Sequence, residues 1–315
     1  MNSRMNRLLV KTLFTALCCA AMLGSCSSSA WLYTSFHEPA DEGLRFLYSY
    51  DAYHWKDCGK IFLKPETGQQ KILRDPSVVF GKDKRFHLVW TTEWKGGSGF
   101  GYASSPDLLH WSNEEYIPVM ADEPTVKNVW APEIFYDNKR GQYIIVWASD
   151  VPHRFAKGTE DEDNNHRLYY VTTKDFKNYS KEKLFFDPGF SSIDATVVQS
   201  GKDDYVLVFK DNTRANRDIK VAFAKSPLGP YKNVSNAVTP GFSEGPSVAH
   251  KGKYYLIYYD WYNHKSFGAV RTKDFHDFEN ITGKISVPQG HKHGTIIKVK
   301  RKFVKHFLKE VSKQH

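Results

Sequence analysis

Alternating apolar and polar positions divide most of the chain into short strands separated by polar turns. The clearest unit is Ile72–Thr92, in which an apolar strand after Arg-Asp-Pro is joined by a Gly-Lys-Asp-Lys turn to a second apolar strand. This pattern predicts a β-hairpin. The same hairpin recurs in three later segments, which begin at Trp130, Ile193 and Glu244. Each first strand of the four carries a carboxylate near its start.

A second element follows each hairpin, namely a polar turn that ends in an aromatic residue. Counting a copy ahead of the first hairpin, it occurs five times, and the copies end at Trp55, Trp111, Tyr179, Tyr231 and Phe278. The repeat length of about 50 residues is typical of β-propellers, in which each repeat forms one four-stranded blade. The fold class predicted here is therefore all-β.

The two ends of the repeat region complement each other. The first unit lacks an innermost strand, and the last segment, His293–Val299, is a strand without a hairpin partner. Pairing the last strand with the first blade would close the ring and leave no open sheet edge. The sequence thus predicts a five-bladed propeller, formed as a single domain by residues 31–299.

The N-terminus has the features of a bacterial lipoprotein signal. A positive region is followed by the apolar run Leu13–Leu23 and then by Leu-Gly-Ser-Cys, which places Cys26 at a lipidation position. The expected division is a signal peptide over 1–25 and a tether over 26–30; an ordinary secretory signal is the alternative. Because Ser27 rather than Asp follows the cysteine, the expected location is the cell envelope, anchored in the outer membrane. Within the folded part only Cys58 remains, so no internal disulfide is expected.

Net charge is concentrated at the ends of the chain. Of the total of +9, residues 1–26 carry +3 and residues 300–315 carry +5, which leaves the body almost neutral. This distribution gives no support for nucleic-acid binding. Residues 300–315 place apolar side chains on one helical face and lysines on the other. We expect a helix that caps a monomeric domain, and a helix on a membrane surface is the alternative.

Four acids head the innermost strands of the predicted blades: Asp75, Glu133, Asp194 and Glu244. They are expected to occupy matching positions on successive strands and therefore to converge at one mouth of the central channel. Carboxylates held close together in a partly dry site separate their pKa values, which supplies the proton donor and the proton acceptor of glycoside hydrolysis. Alternatively, each acid caps a strand or binds the backbone of the next blade.

Five short motifs, taken together, resemble glycoside hydrolase family 43, the arabinanase and β-xylosidase superfamily. They are Arg74-Asp75-Pro76, Trp130-Ala131-Pro132, Ile193-Asp194, Glu244-Gly245-Pro246 and His293-Gly294. The resemblance implies a five-bladed propeller and hydrolysis with inversion. It also implies roles: Asp75 as general base, Asp194 as the acid that orients and tunes the donor, and Glu244 as general acid. Two departures are Ala195, where proline is frequent, and Glu133, where aspartate is frequent.

The resemblance and the aromatic content together indicate the remaining site residues. The residues expected to contact the sugar are Trp130, Trp94, Trp261 and Arg74, and an interblade salt bridge is the alternative role for Arg74. His293 matches a central histidine that in the family holds a water or Ca²⁺, and a structural calcium ion in the central channel is therefore one expectation. The reaction itself is expected to require no cofactor. The polar loop Ser149–Arg167 either shapes one wall of the site or is solvent-exposed decoration.

These features predict a glycosidase for pentose-containing plant polysaccharide, of the α-L-arabinofuranosidase or β-xylosidase type. The expected partner is a carbohydrate, and the membrane is contacted through the lipid anchor. One alternative is a related propeller glycosidase for galactosides or fructosides, although the Asn-Asp-Pro motif of the fructosidases is lacking. A non-catalytic glycan-binding surface lipoprotein is the other.

Overall fold

Five β-sheets surround a central channel in the computed structural model, which describes residues 28–313. The predicted signal peptide and Cys26 lie outside the described residues. Blade 1 consists of β1 (Ser29–Ser35), β2 (Arg45–Ser49), β3 (Lys56–Asp57) and β19 (Ile296–Lys300). Blade 2 consists of β4 (Arg74–Phe80), β5 (Phe86–Thr91), β6 (Phe100–Ser105) and β7 (Glu115–Ile117).

The other three blades follow in chain order. Blade 3 contains β8 (Trp130–Asp137), β9 (Gln142–Ser149), β10 (Arg167–Thr173) and β11 (Lys183–Phe186). Blade 4 contains β12 (Ser192–Gln199), β13 (Tyr205–Asp211) and β14 (Asp218–Ala224). Blade 5 contains β15 (Ser243–Lys251), β16 (Tyr254–Trp261), β17 (Ser266–Thr272) and β18 (Glu279–Asn280). The prediction of four strands in every blade is wrong for blade 4, where a single Phe223–Lys232 bridge stands beyond the third strand.

The C-terminal strand closes the ring, as the sequence predicted. Strand β19 pairs antiparallel with β1, in a register that runs from Ser29 opposite Lys300 to Tyr33 opposite Ile296. It begins at Ile296 rather than at His293, and β1 begins at Ser29, two residues before the expected start of the propeller. Blade 1 is therefore assembled from both ends of the described chain, which removes the open edge that each end would otherwise present.

Apolar side chains are distributed over five clusters, each between two neighbouring blades. In blade 4, for example, Leu207 packs toward blade 3 while Val206 and Val208 pack toward blade 5. Both faces of each sheet are covered in this way. That explains why the second strands read as continuous apolar runs rather than as alternating ones.

The repeated polar turn connects the third and fourth strands. In blade 2 the Ser105 hydroxyl accepts the Leu108 N–H at 2.8 Å, and Asp107 Oδ1 accepts the N–H groups of Leu109 and His110 at 2.9 Å. Leu108 takes a positive φ of 68° and is buried. Side chains with these acceptors stabilise tight turns by satisfying their backbone donors, which accounts for the recurring Ser/Thr-x-Asp pattern.

One helix, α1 (Arg301–Ser312), follows the closing strand. It buries Val304, Phe307 and Val311 in the cluster between blades 1 and 2, where Phe307 contacts the rings of Phe46 and Phe62. The helix therefore packs on the propeller with its apolar face. Within residues 28–313, no helix combines the length and the apolar character needed to cross a membrane.

Candidate active site

A β-bulge interrupts the innermost strand of blades 2 to 5 near its start. We call this side of the ring the acid end of the channel. The residue at each bulge has a positive φ: 51° at Asp75, 46° at Ala131, 50° at Asp194 and 56° at Gly245. A bulge bends its strand and redirects the neighbouring side chains. Aspartate adopts the left-handed backbone more readily than most residues do, so these positions suit Asp75 and Asp194.

The four predicted acids do not occupy matching positions, and that prediction was wrong. Asp75 and Asp194 stand on the bulge, Glu244 stands one residue before it, and Glu133 stands two residues after it. Successive side chains of a strand alternate in direction, and each residue advances about 3.3 Å along it. The offset therefore places Glu133 deeper in the channel than the other three acids.

Glu133 links the blades across the channel instead of joining the acid end. Its carboxylate accepts hydrogen bonds from the hydroxyls of Ser77 and Thr196 at 2.6 Å and of Thr295 at 2.9 Å. Burial raises its pKa despite these three donors. On its far side a cavity of about 570 Å³ opens toward the other end of the channel, and Asp75, Asp194 and Glu244 are not among its lining residues. Glu133 thus fits the structural alternative.

Asp75 is held as a carboxylate by groups from two blades. The Thr91 hydroxyl donates to Oδ2 at 2.8 Å, and Nε2 of His293 lies 3.0 Å from Oδ1. Burial alone raises the pKa of Asp75, but His293, the Arg74 guanidinium and the Thr91 hydroxyl outweigh it and hold the pKa below its usual value. Asp75 is therefore ionised at neutral pH, the state that a general base requires.

Asp194 and Glu244 form the other side of the site. Oδ2 of Asp194 accepts the N–H of Gly245 at 3.0 Å, which ties blade 4 to the residue that follows Glu244. Burial is the largest cause that raises the pKa of Asp194, to about 6. The nearby Glu244 and Asp75 carboxylates add to it, while His293 and Lys210 oppose it. Asp75 is therefore ionised at neutral pH, whereas Asp194 takes up a proton as the pH falls toward about 6.

Lys210 faces this pair of acids from β13. Its Nζ lies 2.9 Å from Oε2 of Glu244, and the side chain is almost completely buried. Burial alone lowers the pKa of Lys210, but Glu244 and Asp194 outweigh it and raise the pKa. Lys210 therefore brings a fixed positive charge to the acid side of the site.

His293 occupies the centre of the channel, on the segment that leads into β19. A Cβ built on Gly245 would lie 1.9 Å from its ring, so the bulge of blade 5 requires glycine where His293 approaches the backbone. Nδ1 lies 3.9 Å from Asp260, and neither ring nitrogen makes a well-directed hydrogen bond. Burial alone lowers the pKa of His293, but Asp260, Asp75 and Asp194 raise it well above its usual value. His293 is therefore a protonated imidazolium ring that interacts with the surrounding carboxylates.

The residues around His293 do not fit a calcium ion. Among the described residues, Glu244, Asp260 and His293 bring potential ligand atoms within 4.8 Å of one another. However, Lys210 lies 2.9 Å from Glu244, and Lys292 lies 2.8 Å from Asp260. Ca²⁺ requires six to eight oxygen ligands. Here the oxygens already face ammonium groups, and both histidine nitrogens face carboxylates.

Three of the four predicted sugar contacts lie together at one wall. The rings of Trp94 and Trp130 stack at 5.1 Å, and the Arg74 guanidinium lies 4.5 Å from the Trp94 ring. Trp130 also stacks at 5.0 Å on His166, and Arg74 pairs with Glu38 at 2.8 Å. The stack fixes the Trp130 ring, while Trp94 remains 48% exposed.

Trp261 lies apart from this wall, at the end of β16. Its Nε1 donates to the Gly241 carbonyl at 3.2 Å, and its ring contacts His264. The next residue, Tyr262, places its ring 5.1 Å from Nζ of Lys210. The predicted contacts thus divide into an Arg74–Trp94–Trp130 wall and a Trp261 side next to Lys210.

Sequence reasoning missed Lys210, Asp260 and His166. Lys210 and Asp260 pair in register with Ile193 and Glu244, so each stands on the second strand beside a site residue. A detectable signal existed, since each is a charged residue near the end of an otherwise apolar strand. His166 belongs to the polar loop Ser149–Arg167. Burial, with Lys210 and Arg167 nearby, lowers its pKa to about 3, so this ring is neutral.

Comparison with known proteins relates this geometry to relatives. A segment of 106 residues, 31% of the chain, is 26% identical to an α-L-arabinofuranosidase of Bifidobacterium longum subsp. longum and spans only 10% of that protein. An α-L-arabinofuranosidase structure from Clostridium thermocellum has a TM-score of 0.59 at 13% identity, covering 84% of this chain and 92% of that one.

Two further structures are alike in fold. A thermostable family-43 glycoside hydrolase has a TM-score of 0.60 at 15% identity, with coverage of 84% and 92%. A family-43 β-1,3-galactosidase has a TM-score of 0.57 at 14% identity, with coverage of 82% and 58%. Residues 27–304 match the glycosyl hydrolase 43-related family, described as a probable glycosyl hydrolase domain. Because this match spans most of the chain, the protein belongs to the glycosyl hydrolase 43-related family.

Proposed function

We propose that the chain is an inverting glycoside hydrolase that acts at the acid end of the channel on pentose-containing plant polysaccharide. The observation that carries this proposal is the contrast between two buried aspartates. The pKa of Asp75 is lowered, whereas that of Asp194 is raised to about 6. Two buried carboxyl groups whose surroundings drive their pKa values apart are the arrangement that acid–base catalysis of glycoside hydrolysis uses.

In the proposed reaction Asp75 accepts a proton from a water molecule, and the water oxygen forms a bond to the anomeric carbon. Glu244 donates a proton to the glycosidic oxygen as the bond from that oxygen to the anomeric carbon breaks. The products are an alcohol and a sugar of inverted configuration, and solvent then returns the protons to their starting groups. The water must fit between the groups, so the two carboxyls are expected to lie about 6.5–9.5 Å apart.

Lys210 and Asp194 support the proton donor in this scheme. When Glu244 has given up its proton, its carboxylate faces the Lys210 ammonium 2.9 Å away, which stabilises the charge that develops. Before the reaction, burial and the neighbouring Glu244 carboxylate both raise the pKa of Asp194.

The substrate class is proposed from the wall and from the relatives. The exposed Trp94 ring and the Arg74 guanidinium offer an aromatic surface and hydrogen-bond donors to a sugar. Both α-L-arabinofuranosidases described above favour an arabinofuranoside as the first candidate. The resemblance to the arabinanase and β-xylosidase superfamily gives a β-xyloside as the second. The β-1,3-galactosidase of similar fold keeps a galactoside as the alternative outside the pentoses. A purely glycan-binding role gives no reason for the differing pKa values of Asp75 and Asp194.

A panel of aryl glycosides tests this proposal. We expect release of the aryl alcohol from the α-L-arabinofuranoside or the β-xyloside, with the opposite anomer as the first product by NMR. A chelator in the assay should leave the rate unchanged, because the site balances its charge with lysines. A retained anomer would contradict the mechanism, and release from the galactoside alone would contradict the pentose assignment. Binding of a sugar without release of any aryl alcohol would favour the non-catalytic glycan-binding lipoprotein.

We also propose that Cys26 carries a lipid and that the protein resides in the cell envelope, attached to the outer membrane. The basis is the Leu23–Cys26 motif with its preceding positive and apolar regions. When the protein is expressed in bacteria, the wild type should sediment with membranes, and Cys26→Ala should be found in the soluble fraction or remain unprocessed. Equal distribution of the two proteins would exclude the anchor.

A further inference from the structure

An apolar groove rimmed by lysines lies at the end of the ring away from the acids. Its volume is about 590 Å³, and its lining includes the apolar residues Phe80, Phe86, Ile297, Val299 and Phe303. Lys84, Lys298, Lys300 and Lys302 border the same groove. We call these nine residues the basic groove. It joins the last residue of β4, the closing strand β19 and the first turn of α1.

Charge and exposure in the basic groove are both unusual. All four lysines are exposed, and within residues 28–313 none of them pairs with a carboxylate. Phe80 is 51% exposed, although it contacts Phe86. An exposed aromatic ring among unpaired lysines combines an apolar contact with attraction to negative charge. Those two contributions drive binding to anionic lipid surfaces.

The place where the chain enters the propeller falls at the same end. Ser29 pairs with Lys300 of the basic groove, so the segment before Ser29 joins the fold beside it. Cys26 precedes Ser29 by three residues, which span at most about 11 Å when extended. A lipid on Cys26, as proposed above, would therefore hold this end of the ring close to the bilayer.

We propose that the basic groove docks on an anionic phospholipid bilayer, with Phe80 in the interfacial layer and the lysines against the lipid phosphates. Asp75 lies near the start of β4 and Phe80 at its end, so docking points the acid end away from the membrane. The site would then be open to a polysaccharide in solution. The docking surface is independent of the hydrolytic activity, and it adds a second contact to the anchor.

Vesicle binding of the full-length Cys26→Ala chain, which cannot be acylated at that position, tests the proposal. We expect stronger sedimentation with phosphatidylcholine vesicles that contain phosphatidylglycerol than with phosphatidylcholine alone. Combined Lys84→Glu, Lys298→Glu and Lys302→Glu substitutions should weaken the phosphatidylglycerol-dependent binding roughly tenfold or more, and added salt should do the same. Phe80→Ser should weaken vesicle binding several-fold, and the remaining binding should still depend on phosphatidylglycerol.

A matched variant controls for the change in net charge. Residues 1–27 are identical in all the proteins compared, so any contribution from them to vesicle binding cancels. Lys64→Glu, Lys127→Glu and Lys157→Glu change the charge equally at exposed positions outside the basic groove. This variant should bind nearly as well as its parent. Equal losses in the two triple variants would overturn the proposal, as would binding that ignores phosphatidylglycerol. Concentration-dependent dimers that only the groove variant abolishes would instead assign the surface to a second copy of the chain.

Discussion

Asp75→Asn is expected to lose activity on every substrate, by on the order of 10³-fold in kcat/KM. The amide cannot accept the proton of the attacking water, whatever group departs. Asparagine keeps the size of the side chain and tolerates the positive φ of 51° at this position. The measurement is the rate on aryl glycosides whose leaving groups differ in acidity. A loss confined to poor leaving groups would contradict the role of Asp75 as base.

Glu244→Gln provides the contrast that separates the two roles. It should remain within about 10- to 100-fold of wild type on an aryl glycoside with an acidic leaving group, which needs little protonation, and lose more on an oligosaccharide. Asp277→Asn changes an exposed acid in the outer turn of blade 5 and should leave the rates unchanged. Because Asp75→Asn also removes a partner of His293, melting curves must establish that the variant is folded at the assay temperature.

Truncation after Gln289 is expected to abolish cooperative folding. It removes β19, which supplies five paired residues to β1, together with His293 and helix α1. Burial of Val304, Phe307 and Val311 alone stabilises the fold by about 1.5–3 kcal/mol for each side chain. Total stabilities are about 5–15 kcal/mol, so the loss is comparable to the whole. Native-like cooperative melting of the truncated chain would show that the ring closes in another way.

A full-length variant tests ring closure without deleting any residues. A Cβ on Gly294 would lie 2.3 Å from the Thr34 carbonyl oxygen, so Gly294→Val should force the closing segment away from β1. We expect a loss of several kcal/mol, on the order of the cost of overpacking or more. Gly283→Val is the matched control, because a Cβ at Gly283 meets nothing within 4 Å. Equal melting temperatures would show that the approach of Gly294 to β1 is not needed.

The repeats could be predicted from the sequence because the residues of each repeat meet requirements of the local structure. A tight turn needs its Gly or Asp, and a strand packed on both faces needs a continuous apolar run. The orphan strand before residue 300 indicated closure, because an unpaired edge is unfavourable. The missing fourth strand of blade 4 was not visible, since pairing at the outer edge of a blade depends on few contacts and leaves little signal in the sequence.

The sequence alone determined the five repeats, the closing strand, the helix and the family, and it led to the proposal of Asp75, Asp194 and Glu244 as the catalytic acids. The tertiary structure decided the depth of each acid and the direction in which the pKa values of Asp75, Glu133 and Asp194 shift. Glu133 lies below the others because it stands two residues after the bulge of its strand, and the backbone conformation of the bulge is what fixes this reference point. Lys210, Asp260 and His293 come from different elements, and the fold places Lys210 beside Glu244 and His293 between Asp75 and Asp260. A pKa depends on burial and on neighbours in space, so the contrast between Asp75 and Asp194 exists only in the folded propeller.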